Sequence, residues 1–245
     1  MAITVDNSIA RVSSDGGASA AVGPFNAVSG QLILAAGCLD QNSQPYVAAT
    51  ISNDGAALTW TNIVNNGAAD TAAVACWYTH LTGDRSNLTV TLTRGNTDGD
   101  SPSLKIYLLS GHDSSTILGA STASTSTTNN LTTASITPQT SGTGFGVGAD
   151  YNELGLPTSS DLTNTSAFDT SGDIAGISGY KALTSGVGAT CNLDAFGGSA
   201  AAWRYAWFEI RVAAGAGRTT KNIHPWTHGV NHGIGLGLPG GGIGS

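Results

Sequence analysis

Along most of the chain, apolar side chains either alternate with small polar ones or run unbroken for about a strand length. They rarely recur at the three- and four-residue spacing of a helix. The run Gly30–Leu39, GQLILAAGCL, is continuously apolar and bounded by Gly and Asp, the pattern of a strand buried on both faces. Asn87–Arg94, NLTVTLTR, alternates Leu88, Val90 and Leu92 with threonines, which predicts one core face and one face of solvated hydroxyls. Further strands are expected over Ala2–Asp6, Ala18–Phe25, Tyr46–Ser52, Ala57–Val64, Ala72–Leu81, Leu104–Ser110, Leu131–Thr137, Gly142–Ala149, Ile174–Leu183 and Gly188–Phe196. Turn signals such as Ser14-Asp15-Gly16-Gly17 and Asn53-Asp54-Gly55 separate them. In GTGFGVGA, Gly144, Gly146 and Gly148 share a face and leave room for a neighbouring layer. Two stretches lack this periodicity. The hydroxyl-rich Ser121–Asn130 reads as a surface loop or weak edge strand, and Tyr151–Ser171 as a long excursion.

The last regular strand, Ser199–Ala213, has two sets of side chains to bury. Ala202, Ala206, Phe208, Ile210 and Val212 share one face with Arg204, while Trp203, Tyr205 and Trp207 share the other with Glu209 and Arg211. The first face is expected to complete a core. The aromatic face calls for a second layer, from the same chain or from a neighbouring protomer. Many short strands, Gly-rich turns and no helix pattern predict an all-β fold: a single β-sandwich, jelly-roll-like, over residues 1–213. A Gly- and His-rich extended arm then occupies residues 214–245.

Composition narrows the function classes. In 245 residues, 40% are hydrophobic and only 10% charged, with 34 glycines, which suits packed β-layers and large protein–protein contacts. A net charge of −7 argues against nucleic acid as a ligand, since phosphate binding needs a basic surface. Cys38, Cys76 and Cys191 are widely spaced, without a CxxC pair, and read as buried free thiols. No apolar run is long enough to span a bilayer, and Met1–Ser14 lacks the regions of a signal peptide, which predicts synthesis in a cytoplasm without Sec-type export.

Catalytic chemistry is sparse. Trp60 and Trp77 sit in strands of apolar character and are expected in the core, not as a sugar platform. The run SGHDSS places His112 and Asp113 beside serines but has no nucleophile elbow, so a turn capped by Asp113 is expected. Asn96-Thr97-Asp98-Gly99-Asp100 has oxygen side chains at alternate positions but lacks the later ligands of a calcium loop, and reads as a hairpin turn. No enzyme activity and no cofactor are expected.

The tail carries His224, His228 and His232 at intervals of four, but Pro225, Gly229 and Gly233 oppose the helix that would align them as metal ligands. An extended arm packing its histidines and Trp226 on another surface is the reading adopted. Ile234, Leu236 and Leu238 alternate with glycines, a pattern that fills pockets on a neighbouring subunit while the backbone lies close. The expected subunit-interface residues are Trp203, Tyr205, Trp207, Trp226, Ile234, Leu236 and Leu238.

The succession GQLILAAG, ALTWTNIV, AVACWYTHL, NLTVTLTR and LKIYLLSG, closed by AWRYAWFEIRV, resembles a β-sandwich module of structural proteins in tailed bacteriophages. The resemblance implies a virion component made in the host cytoplasm. Its first reading is a capsid decoration protein that binds the major capsid protein and copies of itself, in a trimer as such proteins commonly form. Its second is a head- or tail-fibre adhesin that binds host glycans. Neither reading involves nucleic acid or a membrane.

Overall fold

The computed structural model describes residues 2–41, 47–67, 71–95, 101–126, 130–151, 155–169, 174–194 and 203–214. These residues form an all-β structure of four antiparallel sheets. In the first half, β1 (Thr4–Asp6) and β2 (Val12–Ser13) both pair with β9 (Ser103–Ser110). The sheet continues through β4 (Leu32–Gln41), β7 (Thr71–His80) and β6 (Thr61–Gly67). A second sheet runs β3 (Ser19–Ala27), β8 (Arg85–Thr93), β5 (Thr50–Asn53). In the second half, the larger sheet runs β10 (Leu118–Ser126), β16 (Trp203–Ile210), β12 (Thr143–Tyr151), β14 (Ile174–Ala182), β13 (Thr163–Asp169). The smaller sheet pairs β11 (Asn130–Thr132) with β15 (Asn192–Asp194).

The two halves repeat one another. The order β2-β9-β4-β7-β6 recurs as β10-β16-β12-β14-β13, and the pair β3-β8 as β11-β15. The register recurs too: Tyr78, Leu34 and Tyr107 lie side by side across β7, β4 and β9, as Tyr180, Phe145 and Phe208 do across β14, β12 and β16. These two rows meet at the centre of the molecule. Tyr107 lies 5.4 Å from Phe145 edge to face and 6.1 Å from Tyr180, within the range where aromatic pairs attract beyond their buried area.

The sheets stack in four layers with three cores between them. The small first-half sheet covers one face of its larger partner through Val22, Leu88, Val90 and Leu92 against Ile33, Trp77, Leu104 and Ile106. The opposite face of that larger sheet, with Leu34, Cys38, Val74 and Tyr107, meets Phe145, Val147, Phe208 and Ile210 of the second half. The far face of the second large sheet is covered by Leu131, Leu162 and Leu193. Both large sheets are therefore buried on both faces, and β4 is fully buried from Leu32 to Asp40. The expectation of an all-β fold holds. In place of the two layers of one sandwich, the described residues form four, because the aromatic face of β16 and the glycine face of β12 each receive a further layer from the same chain.

Ser121–Ser126 is part of the edge strand β10, in continuous register with β16, because its hydroxyl side chains tolerate the half-exposed edge. The stretch expected as an excursion contains β13, whose Phe168 enters the central core. The alternate glycines of β12 serve the close layer expected of them. A Cβ on Gly144 would lie 2.2 Å from the Trp207 ring, and one on Gly148 2.6 Å from Leu193.

The strand ends give the molecule two unlike poles. Asn66, near the end of β6, donates to the Ser124 carbonyl (3.2 Å), and the Cys38 thiol lies 3.5 Å from the Gly148 carbonyl, so both halves run in the same sense. The connections leaving β2, β4, β6, β8, β10, β12, β13 and β15 depart from one pole. At the other, Thr4 pairs with Ser110 and the crossover between the halves is laced to the exit strand. There Asp113 N–H donates to Arg211 O (2.8 Å), Arg211 N–H to Ile117 O (2.8 Å) and Ala213 N–H to Gly111 O (2.9 Å).

Gly144→Ala should lower unfolding stability by about 1–3 kcal/mol, measured by urea denaturation, because neither the Trp207 ring nor the paired strands can withdraw. Gly55→Ala, in an open turn at positive φ, should cost only about 1 kcal/mol.

Candidate functional site

The aromatic face of β16 is filled from within the chain. Trp203 and Trp207 are fully buried and Tyr205 almost so. The Trp207 indole N–H donates to Ala189 O (3.0 Å), and Ala134 N–H donates to the Tyr205 hydroxyl (3.3 Å). Lys181 sits over the Trp207 ring at 5.4 Å and pairs with Asp161 at 2.5 Å. The second layer, expected from the same chain or from a neighbouring protomer, is supplied around Trp203, Tyr205 and Trp207 by β11, β15 and the segment around Leu162. Trp226, Ile234, Leu236, Leu238 and the three tail histidines lie outside the described residues, as does Asn96–Asp100.

Glu209 also departs from expectation. The alternation places it at the polar end of β16, yet it is fully buried. Its Oε2 accepts from the backbone N–H of Ala120 (3.2 Å) and Gln139 (2.8 Å), and its Oε1 from the N–H and hydroxyl of Thr140 (2.8 and 2.7 Å). Burial alone would raise the carboxyl pKa, but these four donors outweigh it and hold the pKa below its ordinary value. The carboxylate therefore acts as a fixed internal anchor for the 119–120 and 139–140 backbone.

Two cations fasten the N-terminal segment, half-buried Arg11 to both halves and buried Lys105 to the first. The Arg11 guanidinium donates to Ser103 (3.1 Å), Ser166 (3.2 Å) and Ser178 (2.5 Å) and lies 5.2 Å over the Phe168 ring. Lys105 donates to the carbonyls of Asn7 (2.7 Å) and Ile9, and its pKa is lowered by burial first and then by Arg11. The Tyr107 hydroxyl bonds to Ser178 at 2.8 Å, and its pKa is pushed up to about 12, chiefly by burial. Every one of these groups is already bonded inside the protein, an arrangement that supports structure.

His112 forms no contact with its neighbouring serines. Its Nε2 lies 2.9 Å from Nδ1 of His80, at the end of β7, and the two rings meet edge to face with centroids 5.0 Å apart. Burial lowers the pKa of His112, His80 lowers it further, and Asp113 opposes both. Asp113 caps its own turn by accepting from Ser115 and Thr116, as its spacing predicts. Nothing in the sequence pairs His80 with His112, which lie 32 positions apart.

Trp77 is in the core, and Trp60 packs against that core with its indole N–H 3.4 Å from the side-chain Oδ1 of Asn53. Cys38, Cys76 and Cys191 are buried. An open cleft of about 300 Å³ lies between the N-terminal segment and β3, lined by Ile9, Val12, Val22, Pro24 and Phe25. Ser8 contributes its one side-chain hydroxyl, and no charged group lines it. Among the described residues, no three His, Cys, Asp or Glu side chains converge. Among the described residues, no helix is long and apolar enough to cross a membrane.

Both ionisable anchors give a signed pH dependence. His112 has a depressed folded-state pKa, so its contribution is complete above the ordinary value of 6.5 and is lost as pH falls below it. Glu209 contributes fully above 4.5 and loses its contribution as pH falls further. Thermal melts should therefore decline in two stages on acidification. His80→Gln should blunt the first stage, and Glu209→Gln should blunt the second while costing about 1–3 kcal/mol at neutral pH. No family model, curated protein or solved structure matches the chain.

Proposed function

We propose that the chain is a virion structural protein: a capsid decoration protein that binds a phage head and stabilises it. Its contacts would be with the major capsid protein and with copies of itself, and residues 214–245 would form the extended arm. The repeated strand order supports a reading of two jelly-roll-like units in tandem, where the sequence led to the expectation of one.

The observation that carries this reading is an outer face built for contact. In the small first-half sheet, Ala20, Val22, Leu88, Val90 and Leu92 point into the core, so the intervening residues point out. Those outward residues form cross-strand rows: Ser19, Thr93 and Thr50, then Ala21, Thr91 and Ser52. These two rows are made of short, uncharged side chains. Interface cores are depleted in charge in the same way, and short hydroxyl side chains lose little entropy on contact. Repeated over many attachments on a shell, modest contacts of this kind add to a firm hold.

A second reading, an adhesin for host glycans, draws on the pole from which the strand connections of both halves depart, since loops gathered on a rigid scaffold are the usual recognition surface. Copy number separates the two. Decoration predicts label distributed over the whole head, and adhesion predicts a few copies at a fibre or tail.

Thr91→Lys, at the centre of the hydroxyl face, should change folding stability by no more than about 0.5 kcal/mol and yet abolish binding to heads lacking the chain. Undiminished binding, measured by co-sedimentation, would remove the face from the account.

A further inference from the structure

We propose that His80 and His112 form a chelating pair for a divalent transition-metal ion that favours right-angled nitrogen ligation, Cu²⁺ or Ni²⁺ ahead of Zn²⁺. The primary observation is the convergence of His80 Nδ1 and His112 Nε2 to 2.9 Å. Two imidazole nitrogens each about 2.0–2.1 Å from one ion are about 2.9 Å apart when they subtend a right angle, and about 3.3 Å apart when the angle is tetrahedral. The observed spacing fits the square-planar case. The rings are splayed by 68°, so they are not stacked face to face.

Each histidine is held by backbone and not by its own side chain. His80 is the last residue of β7 and pairs with Leu32, while His112 bridges to Val212. A pair fixed by its strands is preorganised, and the ion would not have to order it.

The proton accounting also works. In the empty pair one of the two facing nitrogens carries a hydrogen. Chelation needs both bare, so that hydrogen moves to the other nitrogen of its own ring. His112 Nδ1 is buried without a hydrogen-bond partner in either tautomer, so no bond there resists the exchange. The ion thus displaces only the contact between the two rings.

The Asp113 carboxylate accepts from Ser115 and Thr116. No third His, Cys, Asp or Glu joins the pair among the described residues, which leaves the remaining positions to water or an external donor. A bound ion would clasp β7 of the first half to the crossover that begins the second, at the pole where the chain passes Ala213.

The chain has five histidines, so a full-length H224Q/H228Q/H232Q protein retains only His80 and His112. Titrated with CuSO₄ and followed by electron paramagnetic resonance, it should bind one Cu²⁺ with hyperfine coupling to two ring nitrogens. Adding His80→Gln should weaken binding roughly tenfold or more, since even outer-sphere losses at metal sites cost about 10–100-fold. The absence of saturable binding, of nitrogen coupling in the two-histidine protein, or of any effect of His80→Gln would each overturn the proposal. The nitrogen coupling is read without altering either ligand, so the test does not depend on a variant that folds.

Discussion

The structure depends on the contact between two sheets that are each buried on both faces. A strand in such a sheet has no solvent side on which to place a charge, and β4 and β12 accordingly carry none before Asp40 and Asp150 near their ends. With several strands of this kind, the low charge content of the chain follows from its layering. The polar groups admitted to the interior come with their partners. Arg11 brings three serine hydroxyls to its guanidinium, and Glu209 collects three backbone N–H groups and one hydroxyl. A buried charge without such partners costs several kcal/mol, so these networks are conditions of the fold.

The repeated strand order makes the central contact a pseudo-dimer within one chain. Equivalent rows, Tyr78–Leu34–Tyr107 and Tyr180–Phe145–Phe208, pack against each other as the same patch does in a two-fold dimer. Linking the halves covalently removes the concentration dependence of that association. It also fixes their sense, so that both halves send their strand connections toward one pole. The opposite pole holds the start of the described chain, the crossover and the end of the exit strand near Ala213.

The sequence makes the strands legible because their signals are local. Leu88, Val90 and Leu92 alternate with threonines, and those threonines are the outward face of the small sheet. The glycines of β12 announce a close neighbour, and Trp207 and Leu193 are those neighbours. The identity of the second layer over Trp203 and Trp207 is less legible, because alternation says that a face must be covered and not by which segment. Glu209 and the His80–His112 pair were unreadable for the same reason: their partners are distant in sequence. The repeat leaves a faint trace in Tyr78-Thr79-His80-Leu81-Thr82 and Tyr180-Lys181-Ala182-Leu183-Thr184. Only the common register turns it into a duplication.

The central proposal is that the uncharged hydroxyl rows of the small outer sheet face a particle. Amide hydrogen exchange of the free chain against the chain on its particle measures this directly. The account predicts added protection along Thr89–Thr93 and Thr50–Asn53, with β4 and β12 equally slow in both states. Protection confined to the pole of strand connections, with β8 and β5 unchanged, would contradict it.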